Sequence, residues 1–185
     1  MLTLNKSRTL HVLVFISIFF FSFASYALAY NNYDNWSCKW SNPSNVKYKF
    51  IASTPTDYRN IFATAVVNFN NTATKVGLSL DYTSTTANTF GIFNEDSNTM
   101  GRTVYTCKFP TYSEISTSDA GLNNLYFYNN PYRKAELQIK VAHHEIGHFM
   151  ALGHSSVSPA VMQEGLKYYQ KPQQDDVNGL NSLYP

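Results

Sequence analysis

A single α+β domain is the architecture this 185-residue sequence predicts, and three observations predict it. The chain is long enough for one hydrophobic core and carries nothing that divides it in two. Residues 58–69 and 135–149 place apolar side chains at helical spacing. Between them, residues 76–129 shift towards a period of two, the spacing of strands.

The first 29 residues read as an export signal and not as part of the fold. Lys6 and Arg8 give a positive start, residues 12–23 are apolar, and Ala27-Leu28-Ala29 is a small-residue cleavage site. The apolar run is about 12 residues long, where a membrane span needs roughly 20. The expected organisation is therefore a signal peptide over 1–29 and one domain over 30–185, released to the extracellular side and not held at a membrane. Cleavage would remove two of 14 basic groups and leave 12 against 12 acidic ones. A formally neutral domain gives no support to nucleic-acid or anionic-membrane partners.

Residues 30–44 are rich in Asn, Ser and Trp without periodicity and read as an irregular arm. A first strand is expected over 47–53, where Tyr48, Phe50 and Ile51 favour extended backbone. Thr54-Pro55-Thr56 then starts an amphipathic helix with Tyr58, Ile61, Phe62, Ala65, Val66 and Phe69 on one face, ending near Asn70-Asn71. That stripe is core and implies no chemistry. Further strands are expected over 76–82, 89–94, 102–108 and 125–128. The loop 94–98 offers oxygen ligands but lacks the full Asp/Asn/Gly calcium pattern; it reads as a solvated turn, which leaves structural calcium unsupported. A second helix is expected from Pro131 through Ala135, Leu137, Ile139, Ala142, Ile146 and Phe149. A short third one begins near Asp175, with Val177, Leu180 and Leu183 on one face.

Four of the five histidines fall between positions 143 and 154. On a helix, His144 and His148 differ by about 40° around the axis and one turn along it, so they face the same way. Two imidazoles so placed can take adjacent corners of a zinc tetrahedron. Glu145 points beside the metal, where it can accept a proton from a water whose pKa the metal has lowered. His154 lies ten residues beyond His144, about 280° around, so it joins the site only if the helix stops after His148 and the chain turns back. Three imidazoles with an open fourth position describe a catalytic zinc site. His143 is about 100° away from His144 and is expected to pack elsewhere.

The run from His144 to His154, followed by Met162, resembles the extended zinc motif and methionine turn of the metzincins. Residues 155–162 and 175–184 are similar to the matrixin version of that turn and of the closing helix. The resemblance is strong from about Ala142 to Tyr184 and only architectural before that. It implies a metzincin-like domain: a twisted mixed β-sheet with an amphipathic helix, an active-site helix and a short C-terminal helix. It further implies Zn²⁺ on His144, His148 and His154, Glu145 as general base, and Met162 beneath the imidazoles without ligating. The activity implied is a secreted, monomeric endopeptidase acting on proteins or peptides through a zinc-activated water, in a cleft whose upper-rim strand pairs with an extended peptide. Residues 163–172, Tyr168 and Tyr169 among them, would shape its specificity pocket.

Two departures from the matrixin pattern stand out. Ala151 occupies the position of a glycine that ends the helix in a left-handed conformation, and a Cβ there costs about 1–2 kcal/mol; the turn is expected to shift onto Gly153. No prosegment of useful size and no histidine-rich metal segment between Asp81 and Leu125 are recognisable, so latency and structural metals do not carry over, and the chain looks more like the compact bacterial members. Cys38 and Cys107 are expected to pair, against a rival in which the Cys38 thiolate plugs the zinc. Two rival functions remain at this point. One is a non-catalytic secreted module that keeps the fold and binds zinc or peptides; the other is an enzyme that takes Glu164 as third ligand in place of His154.

Overall fold

The computed structural model describes residues 30–32, 38–83, 85–130, 134–165 and 169–185, with backbone alone at 30–32 and 134. Its centre is a five-stranded mixed sheet in the order β3-β2-β4-β6-β5. The strands are β2 (Val46–Phe50), β3 (Leu78–Leu80), β4 (Thr89–Phe93), β5 (Gly101–Cys107) and β6 (Ile115–Asn123). Strands β3, β2, β4 and β6 run parallel, and β5 runs antiparallel to β6 at the edge. A short strand β1 (Tyr30–Asn32) lies apart, antiparallel to β7 (Leu152–Ser155).

The helices are α1 (Thr56–Asn70), α2 (Asn124–Asn129), α3 (Lys134–Phe149) and α4 (Gln174–Leu183). Helix α1 starts after Pro55, whose missing N–H costs nothing there. It buries the expected stripe of Tyr58, Phe62, Ala65, Val66 and Phe69. Phe90 of β4 is the pivot of the core: Phe62 of α1 stacks on it at 4.9 Å, Phe149 of α3 meets it edge-on at 4.8 Å, and Tyr48 lies 4.4 Å away. Helices α1 and α3 thus share one core with the sheet, and α3 also packs along β5 and β6.

Several expectations are corrected. Residues 125–128 form helix α2 and not a strand: the Asn123 side chain accepts from the Tyr126 N–H and turns the chain into a helical turn. The fifth strand of the sheet is instead β6, whose sequence Ile115–Asn123 is full of Ser, Asp and Gly and lacks apolar alternation. Part of the supposed irregular arm pairs as β1. The expected helix start at Pro131 and the signal peptide over 1–29 lie outside the described residues.

Cys38 and Cys107 form a disulfide that ties the arm to the end of β5, which excludes the reading of Cys38 as a thiolate on a metal. Among the described residues no helix is long and apolar enough to cross a membrane. Loop 94–98 is an open turn in which Glu95 pairs with Arg102.

Candidate metal centre

Helix α3 ends because Ala151 turns left-handed, with φ 67°. The turn is not shifted onto Gly153, which already belongs to β7. A strained residue persists only where its surroundings over-determine it, and here they do. The carbonyls at and just beyond the end of α3 are capped from outside the helix: the indole Nε1–H of Trp40 donates to Phe149 O at 2.9 Å and the Tyr184 hydroxyl to Met150 O at 3.0 Å. The Ala151 methyl is buried with Cys38 and Ile115.

Reversing at Ala151 brings His154 back to the helix. Nε2 of His148 lies 3.1 Å from Nε2 of His144 and 3.2 Å from Nε2 of His154. Ligand nitrogens 2.0–2.1 Å from a tetrahedral zinc would stand about 3.3–3.4 Å apart, so the three rings are spaced to hold such an ion. Each Nδ1 is engaged: that of His144 donates to Val161 O (2.9 Å), that of His148 to Leu152 O (2.7 Å), and that of His154 meets Glu164 Oε1 (2.7 Å). This leaves every Nε2 with its lone pair towards the shared point. Burial holds His148 down at about 4 and His144 well below its ordinary value, so both stay neutral, the form that binds metal.

Glu145 is buried beside the cluster, and the Thr103 hydroxyl of β5 lies 2.8 Å from its carboxylate and 2.9 Å from its own carbonyl. Burial pushes its pKa up to about 7, against the opposing pull of the Thr103 hydrogen bond and the Lys140 charge. Gly101 at the start of β5 makes room for it, since a Cβ there would come 2.5 Å from Glu145 Oε1. Lys140 is buried one turn before His144 and donates to Gly165 O (3.1 Å) and Gln163 O (3.5 Å). A cavity of about 590 Å³ opens between the 98–101 segment and this group, lined by Lys140, His144, Glu145, His154 and Glu164.

Met162 is buried against α3, where a Cβ on Gly147 would overlap its Sδ. Its turn is fastened by the buried Asp176 of α4, which accepts from the N–H groups of Val161 (2.9 Å), Met162 (3.1 Å) and Gln173 (2.7 Å). His143 faces α1: its Nδ1–H donates to Ile139 O at 2.7 Å and its Nε2 accepts from Asn68 at 3.0 Å. Tyr169 bonds Ser158 and packs at the core's edge, while Tyr168 lies outside the described residues.

The helical pair, Glu145, His154 and Met162 were all named by motif spacing. Thr103, Gly101, Lys140 and Asp176 were not. Asp176 alone had a local signal, as an acidic residue in the first turn of a helix, but its partners sit 14 and 15 positions away.

A mixed sheet with an antiparallel edge strand, over a helix whose two imidazoles meet a third returned by a turn, is the arrangement of a metzincin-type domain. The sequence model of the matrixin family matches residues 39–185, and the chain belongs to that family of zinc-dependent metalloproteases. It is also 40% identical over 62 residues to human matrix metalloproteinase-19, a stretch covering 32% of this chain and 12% of the human protein.

Proposed function

We propose that this chain is a secreted zinc-dependent endopeptidase whose metal ligands are His144, His148 and His154 and whose general base is Glu145. The observation that carries the reading is the convergence of three Nε2 atoms at 3.1 and 3.2 Å with a buried carboxylate beside them. Zinc held there would supply Lewis acidity, activating a water and polarising the peptide carbonyl. Glu145 takes the proton released by the attacking water and returns it to the leaving amide nitrogen. The Thr103 hydroxyl fixes the carboxylate while that happens. Met162 supports the imidazoles from below without ligating.

The substrate is a protein or peptide in extended form. Among the described residues strand β5 pairs with β6 on one side only, so its other edge offers N–H and C=O groups to which a peptide can add as a strand. The domain over 30–185 acts outside the cell as a monomer, after removal of residues 1–29. The binding-module alternative rested on Ala151; the left-handed turn is made there and His154 still reaches its partners, so the departure does not take the third imidazole away.

The test is to purify the secreted chain, measure zinc per molecule, and follow cleavage of an unstructured protein. Glu145→Gln is expected to keep zinc and lose about 10²- to 10⁴-fold in kcat. Wild-type activity surviving in that variant would sink the mechanism. Zinc-loaded wild type that cuts no substrate would leave the binding module as the better account.

A further inference from the structure

We propose that Glu164 is a positioning residue for the metal centre: its carboxylate holds the Nδ1–H of His154 and thereby aims Nε2 at the ion. This rests on the zinc reading above and adds to it a further residue that does not touch the metal.

The three imidazoles are oriented by unequal means. His144 and His148 leave a regular helix, are nearly inaccessible to solvent, and donate from Nδ1 to main-chain carbonyls of the methionine turn and of β7. His154 stands on the far side of the strained turn at Ala151, with its side chain 39% exposed. Fewer neighbours fix its χ angles, and a free imidazole there could present either nitrogen to the metal. The 2.7 Å approach of Glu164 Oε1 to Nδ1 settles the choice, because a carboxylate accepts and does not donate. Bonds to an ionised acceptor are also the shorter and stronger kind.

The Glu164 side chain is itself 76% exposed, so the carboxylate can act so only if its own backbone is held. The carbonyls on either side of Glu164, those of Gln163 and Gly165, both accept from the buried ammonium of Lys140. Lys140 belongs to α3, the helix that carries His144 and His148. One helix therefore places two ligands directly and the third through a lysine, a loop and a carboxylate. Partners of this sort on ligating histidines typically contribute about 10- to 100-fold to metal affinity.

The experiment uses the full secreted chain and Zn²⁺ itself as probe, with affinity read by competition against a chromophoric chelator. Glu164→Ala is expected to bind zinc about 10- to 100-fold more weakly with an unchanged unfolding midpoint in the metal-free state. Glu164→Gln, whose amide oxygen still accepts from Nδ1–H, is expected to recover most of that loss. The Co²⁺-substituted Glu164→Ala protein should show an altered d–d absorption that the Gln variant restores, which a purely structural role would not produce. Affinity within twofold of wild type in Glu164→Ala would overturn the inference while leaving the zinc reading intact. Wild-type affinity retained in His154→Ala but lost in Glu164→Ala would overturn it in another way, making the carboxylate the ligand. A wild-type chain that binds no zinc would remove the reading on which the inference rests.

Discussion

The left-handed backbone of Ala151 forfeits about 1–2 kcal/mol, yet its methyl is buried with Cys38 and Ile115, worth about 0.8 kcal/mol for one methyl group. The two offset each other to within about 1 kcal/mol. Ala151→Gly is therefore expected to change the unfolding free energy by less than about 1 kcal/mol, while Ala151→Val, with a branched Cβ at positive φ, should lose at least about 2 kcal/mol. Urea denaturation measures both, and a large loss in the glycine variant would mean that packing, not strain, governs the position. Gly101 makes a complementary case. Its missing Cβ leaves space for Glu145, so Gly101→Ala should displace the carboxylate and lower kcat by about 10- to 100-fold, since displacement by about 1 Å is enough, with zinc content unchanged. Helical spacing made His144, Glu145 and His148 legible in the sequence because four residues apart is a statement about direction. Nothing comparable announced Thr103 or Gly101: a hydroxyl or a glycine in a strand does not say which distant side chain it will meet.

Elements were legible where a period was strong and unlegible where tertiary contacts overrode it. The stripe of α1 is one apolar face repeated over 15 residues, so its place follows from burial alone. Strand β6 contributes Ser118, Ala120 and Leu122 to the interior but places Asp119 and Gly121 between them, and the small Gly121 lets the Phe93 ring come close. Its sequence therefore shows no clear strand period, and no element is assigned to it from the sequence. Helix α2 errs in the opposite sense, since Leu125, Tyr126, Phe127 and Tyr128 favour strands and only the Asn123 cap argues otherwise. Helix α4 was expected as a packing element, yet its Asp176 fastens the methionine turn by two N–H bonds, from Val161 and Met162, and caps its own helix by a third, from Gln173. Asp176→Ala strands those donors and should cost at least about 3 kcal/mol. Because Val161 also orients His144, zinc affinity should fall as well. Asp176→Asn keeps one acceptor oxygen and should lose less on both counts. Equal stability of the Ala variant and wild type in thermal unfolding would refute the fastening.

At the scale of the whole molecule, the candidate ligands come from two elements, α3 and β7, joined by a turn whose adjacent carbonyls are capped by Trp40 of the arm and Tyr184 of the C-terminus. The disulfide anchors that arm across a loop of 69 residues, and replacing both cysteines by alanine should cost about 2–4 kcal/mol, checked by the shift in urea midpoint. A metal would act as a further tie between α3 and β7, present only in the folded chain. An ion that binds the native state at 100 times its Kd stabilises by about 2.7 kcal/mol, and for a domain of about 150 residues each kcal/mol moves Tm by about 2–4 °C. Removing zinc with a chelator should therefore lower Tm by about 5–11 °C. The same drop is expected in Glu145→Gln, which loses chemistry and keeps the ligands. It should vanish in His148→Ala, whose metal-free and zinc-supplemented samples should melt together. A wild-type Tm indifferent to both chelator and added zinc would mean that the three converging imidazoles hold no ion, whatever their spacing.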